Sequence, residues 1–198
     1  MVQAAQQAVK KMLLRLGVTG LALWSFESPA FSAADDSNIC EKYLTQAAAD
    51  ENVPLGVLYA VGLTETGRKG SLHPYALNIE GRTVFTVSAE DAMKEFNRAR
   101  GAGKTLIDLG CMQINHYYHG KEFSSVEAMF DPAQNVSYAA RFLRELRQRE
   151  GSWTMAVARY HAGPNNNPAQ KRYICAVIRN LVATGFGNWT APARKFCR

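Results

Sequence analysis

Leu63-Thr64-Glu65-Thr66-Gly67 closes an apolar stretch with one carboxyl group placed two residues before a glycine. Two later segments belong with it, Gly110-Cys111-Met112-Gln113-Ile114-Asn115 and Arg159-Tyr160-His161-Ala162-Gly163. Asn52-Val53-Pro54 reads as a helix start, with proline near the first turn, where its missing N–H costs nothing. The helix is expected to run to about Glu65 and to stop at Gly67. Leu58, Val61 and Leu63 give Glu65 an apolar neighbourhood, and a helix C-terminus carries partial negative charge. Both disfavour a carboxylate, so the pKa of Glu65 is expected to rise above the ordinary value of about 4.3. Gln113 and Asn115 supply amides that donate and accept, and Tyr160 supplies a phenol. A carboxyl kept protonated beside such groups suits general acid chemistry on a ligand rich in hydroxyl and amide groups.

Working outward, helical signals dominate. Cys40 to Asp50 carries Tyr43, Leu44, Ala47 and Ala48 on one face. Ala76–Ile79 and Thr83–Val87 flank Glu80-Gly81-Arg82 as a small hairpin. Ser88 caps a helix through Arg100, with Glu90 and Asp91 at its positive end. Leu106 to Leu109 reads as a third short strand. Asp131-Pro132 opens a helix whose Val136, Ala139, Ala140, Leu143 and Leu146 keep one face, ending at Gly151. Ser152 caps the next helix, which ends at Gly163. Asn165-Asn166-Asn167-Pro168 reads as a polar loop. A last helix turns Tyr173, Ile174, Val177, Ile178, Leu181 and Val182 to one side, most simply as core. The chain is therefore read as mainly α with a small β insertion, in the α+β class.

Lys10, Lys11 and Arg15, the apolar run from Leu16 to Phe26 and the small residues Ser32-Ala33-Ala34 read as an export signal over residues 1–34. The run is too short to span a bilayer stably. Residues 35–198 then form one domain of about 164 residues with a real core. The net charge of +6 falls to +4 once Lys10, Lys11, Arg15 and Glu27 are removed. That modest excess suits an anionic polymer. No Lys/Arg run interleaved with aromatics argues for nucleic acid. Four cysteines in an exported chain, Cys40, Cys111, Cys175 and Cys197, favour two disulfides, and their spacing leaves three connectivities open. His116 and His119, even with His161, lack the spacing of a zinc site, so no metal and no cofactor is expected. Arg100-Gly101-Ala102-Gly103-Lys104-Thr105 lacks the first glycine of a phosphate loop.

The three quoted segments, in that order over roughly residues 40 to 182, resemble the soluble lytic transglycosylase family. Its patterns are Glu-Ser-Gly, Gly-Leu-Met-Gln-Ile-Asn and Ala-Tyr-Asn-Ala-Gly. This chain departs at Thr66, Cys111, Arg159 and His161. The resemblance implies a lysozyme-like domain acting on the glycan strands of peptidoglycan in the periplasm. It implies Glu65 as the catalytic acid, with Met112, Gln113, Asn115, Tyr160 and His161 around the substrate. Met112 would give an apolar wall, and Tyr160 would bond the substrate's acetamido group or Glu65. Read from the residues alone, Asn115 either touches substrate or caps the segment after it. Glu-Thr-Gly with Gly-Cys-Met-Gln-Ile-Asn looks most like a small branch linked to flagella or secretion machines, which would be its protein partners. That likeness implies the pairing Cys40–Cys111, which leaves Cys175–Cys197 to tie down the tail. It also implies cleavage with one carboxylate. A hydrolytic muramidase would need a second, for which Glu80 and Asp108 are the candidates. A peptidoglycan-binding adaptor without activity is the remaining alternative.

Overall fold

In a computed structural model the chain is described at residues 39–68, 70–163 and 167–198. The expected export signal lies outside these residues. Helix α1 (Ile39–Asp50) buries Cys40, Leu44, Ala47 and Ala48. Helix α2 (Leu55–Thr66) follows Pro54 and ends where the Gly67 N–H returns to the Leu63 carbonyl. A Cβ on Gly67 would lie 2.2 Å from that carbonyl oxygen, so the chain can leave the helix here only through glycine. This fixes Glu65 in the last turn.

Strands β1 (Ala76–Ile79) and β2 (Arg82–Phe85) form the hairpin. Its two-residue turn places both Glu80 (φ 48°) and Gly81 (φ 93°) in the left-handed region, the geometry that matches strand twist. Ser88 accepts the Asp91 N–H at the start of α3 (Ala89–Gly101). Strand β3 (Ile107–Leu109) pairs antiparallel with β1, and β4 (Ile114–Asn115) pairs with β3, giving the order β2-β1-β3-β4. Two short helices that the sequence reading left out follow, α4 (His116–His119) and α5 (Val126–Phe130).

Helix α6 (Pro132–Glu150) starts on the Asp131 cap and ends at Gly151 in the left-handed conformation. Helix α7 (Trp153–His161) starts on the Ser152 cap. Helix α8 spans Asn167–Ala183, so Asn167 and Pro168, expected in a loop, open a helix instead, where proline fits the first turn. A short α9 (Ala191–Phe196) ends the chain. The architecture is mainly helical with a four-stranded antiparallel sheet, the α+β lysozyme-like arrangement. Among the described residues no helix is long and apolar enough to cross a membrane.

Helix α2 packs on α8, α6 packs on α1 and α7, and α7 packs on α8. Leu44, Leu58, Val61, Leu77, Leu109 and Phe130 are buried at the centre. Two disulfides, Cys40–Cys111 and Cys175–Cys197, are formed. The first joins α1 to the turn before β4 across 71 residues, and the second closes 22. Chain entropy alone gives about 4 kcal/mol for the longer loop and about 3 kcal/mol for the shorter. Urea unfolding is therefore expected to show a larger loss for the pair Cys40→Ser and Cys111→Ser than for Cys175→Ser and Cys197→Ser.

Candidate active site

The three segments meet at one turn. After Leu109 the chain turns at Gly110 (φ 78°), where a Cβ would lie 2.5 Å from the Asn135 amide nitrogen. Asn135 is wholly buried on α6. Its Nδ2 donates to the carbonyls of Leu109 (2.9 Å) and Met129 (2.8 Å), and its Oδ1 accepts from the Met112 N–H (2.8 Å). The turn then holds its neighbours. Thr66 donates to the Cys111 carbonyl (2.8 Å), and Tyr160 donates to the Met112 carbonyl (2.8 Å). Glu65, Gln113 and Tyr160 thereby converge on a cavity of about 410 Å³.

One wall of this cavity is the sheet, with Asn78, Glu80 and Asp108. The other is aromatic, with Tyr118, Phe142, Tyr160 and the imidazoles of His119 and His161. Burial pushes Glu65 from the ordinary 4.5 up to about 8, and the negative charge of Asp108 adds to the rise. A hydrogen bond from the Tyr173 hydroxyl to Glu65 Oε1 (2.5 Å) opposes both. The bond occupies Oε1 and leaves Oε2 to carry the proton. Burial also raises the pKa of Asp108, whose Oδ1 accepts from the Asn115 amide (2.7 Å). Glu80 differs: the Lys104 ammonium beside it (2.9 Å) and the Thr105 N–H hold it below the usual range. One cavity thus holds three carboxyl groups in different environments, Glu65 and Asp108 raised by burial and Glu80 lowered by Lys104.

The expected site residues divide. Gln113, at φ 48°, donates from Nε2 to the carbonyls of Ala76 (3.2 Å) and Gly110 (3.0 Å) and lines the cavity. Its carbonyl oxygen has no partner among the described residues. Asn115 lines the cavity with both amide ends engaged, since its Oδ1 accepts from Tyr117 N–H and Tyr118 N–H and caps α4. His161 stacks flat on Tyr173, with centroids 4.2 Å apart.

Met112 is a correction. It is fully buried in the core rather than walling the cavity, because the turn rotates its side chain inward against Gly62. Tyr160 does not bond Glu65; that contact belongs to Tyr173, which the sequence reading assigned to the core. A buried tyrosine needs a partner for its hydroxyl, and that was the available signal. The imidazoles go separate ways: His116 packs on Phe96, His119 bonds Tyr138 and His161 stacks on Tyr173.

Residues 42–177 match the transglycosylase SLT domain. The chain belongs to that family. SLT domains act on peptidoglycan, which points to an extracytoplasmic place of action, and the two disulfides fit an oxidising compartment. Searches of curated proteins and of solved structures found no match.

Two outcomes follow from the raised pKa of Glu65. The folded state holds the Glu65 proton more tightly than the unfolded chain does. Its destabilising effect is therefore absent below about pH 4.5 and grows as the pH rises to about 8. Glu65→Gln is expected to flatten the stability curve over that window in thermal unfolding. Tyr173→Phe removes the hydrogen bond that, among the described residues, favours the carboxylate, so the Glu65 titration followed by carboxyl NMR is expected to move upward.

Proposed function

We propose that this protein is a peptidoglycan lytic transglycosylase that cleaves the β-1,4 bond between N-acetylmuramic acid and N-acetylglucosamine. Glu65 acts first as acid. Its proton passes to the bridging oxygen as the C1–O bond breaks, and the substrate's acetamide stabilises the cation developing at C1. The carboxylate then takes the proton of the muramoyl C6 hydroxyl. O6 closes on C1, leaving a 1,6-anhydro end, and Glu65 is again protonated with no water consumed. The observation that carries this reading is the carboxyl of Glu65, its pKa pushed up by burial, in a cavity lined by residues of all three motif segments.

The surrounding roles follow the geometry. Gln113 offers its free amide oxygen to a sugar N–H or hydroxyl. Tyr160 and His161 form part of the aromatic wall, and Tyr173 holds the acid in one orientation. Asn115 acts through Asp108 and α4 rather than by touching sugar. The expected export signal and the two disulfides support a periplasmic location. Likeness of the Glu-Thr-Gly and Gly-Cys-Met-Gln-Ile-Asn segments to the flagellar and secretion branch supports local wall opening for such a machine.

Hydrolysis to reducing ends is a second reading, favoured by Asp108, which lines the same cavity as Glu65. Mass spectrometry of muropeptides released from purified walls separates the two: anhydro ends are expected, and reducing ends would sink the first reading. Glu65→Gln is expected to lower kcat by about 10²–10⁴-fold with the fold intact. Asp108→Asn is expected to leave much of the activity. An equal loss in Asp108→Asn would make the second carboxylate part of the chemistry. Because the acid must start protonated, turnover of the wild type is expected to fall as the pH rises through about 8.

A further inference from the structure

A second cavity, of about 370 Å³, lies beside the first. Aromatic side chains stand between them. His119 lines the Glu65 cavity, and its Nδ1 shares a 2.8 Å hydrogen bond with the Tyr138 hydroxyl. Tyr138 lines the second cavity, and it stacks on Phe142 of the first at 17° between planes. Burial pushes the Tyr138 phenol up to about 12, so its hydroxyl keeps its proton near neutral pH.

The chemistry of the groove is mixed. Helix α6 presents Gln134, Ser137 and Arg141, three and four residues apart and so on one face. Glu122 faces them from the segment after α4. The Arg141 guanidinium is set over the Tyr138 ring, 5.2 Å from its centroid. Neither Arg141 nor Glu122 makes a salt bridge among the described residues. A polyanion would be repelled by Glu122, and a bare polysaccharide has no charge to offer either group. A ligand carrying a carboxylate and an ammonium a few ångströms apart satisfies both.

Resting on the reading of this protein as a peptidoglycan-cleaving enzyme, we propose that the second cavity binds the peptide branch of the glycan strand. It seats an amino-acid unit with both a free carboxylate and a free ammonium. Arg141 takes the carboxylate, Ser137 and Gln134 hydrogen-bond the peptide, and Glu122 takes the ammonium. A cross-link between branches converts such an ammonium into an amide, so Glu122 selects strands that are not yet cross-linked.

The test uses the full chain carrying Glu65→Gln, titrated by calorimetry with two glycans of equal length. One is peptide-free, and the other bears branches that end in a diamino acid. The branched glycan is expected to bind about tenfold tighter at low salt, from two partly exposed ion pairs. Added Arg141→Ala or Glu122→Gln is expected to remove most of that advantage and leave the affinity for peptide-free glycan unchanged. Glu122→Gln keeps the test informative if Arg141→Ala unfolds, because Glu122 is exposed at the surface. Equal affinities in the parent, or an advantage that survives both substitutions, would overturn the proposal and leave the Glu65 reading standing. Binding of neither glycan would overturn both.

Discussion

A buried asparagine holds the site together. Asn135 spends its whole amide on the turn at residues 109–112 and on Met129, deep in an otherwise apolar interior. Unmade hydrogen bonds there would cost about 1–3 kcal/mol each, so the turn has one stable position relative to α6. Everything functional hangs from that position. The carbonyls of Cys111 and Met112 anchor Thr66 and Tyr160, Gln113 is aimed by the left-handed residue after them, and Cys111 is bonded to α1. A polar clamp of this kind adds little net stability but fixes geometry, as a pre-organised cavity requires.

Much of the fold was legible because local chemistry agreed with the hydrophobic period. Ser88, Asp131 and Ser152 each cap the helix they were expected to start. Gly67 and Gly151 end helices as expected, and the turn residues Glu80-Gly81 place the hairpin. The short helices α4, α5 and α9 were not legible. They span four to six residues, too few for a period to show.

The site was legible where a segment carries its own chemistry and obscure where chemistry comes from elsewhere in the chain. Glu65 stood out in its own motif. Tyr173 was absorbed by an apolar stripe, because its ring does pack in the core and only its hydroxyl reaches Glu65. Met112 shows the converse: its place in a motif suggested contact with a ligand, yet what the motif uses is its backbone carbonyl, while the side chain fills space beside Gly62. Asp108 carried no motif signal, and only the antiparallel pairing of β3 with β1 and β4 turns it toward the same cavity as Glu65.

The bond between Tyr173 and Glu65 links residues 108 positions apart. Tyr173 sits on α8 two positions before Cys175, and Asn180 on the same helix donates to Thr64 beside the acid. The proton affinity of Glu65 is thus a gauge of how α8 docks. A substitution that shifts α8 therefore reaches the acid through Tyr173 and Thr64 even where the changed residue lies outside the cavity.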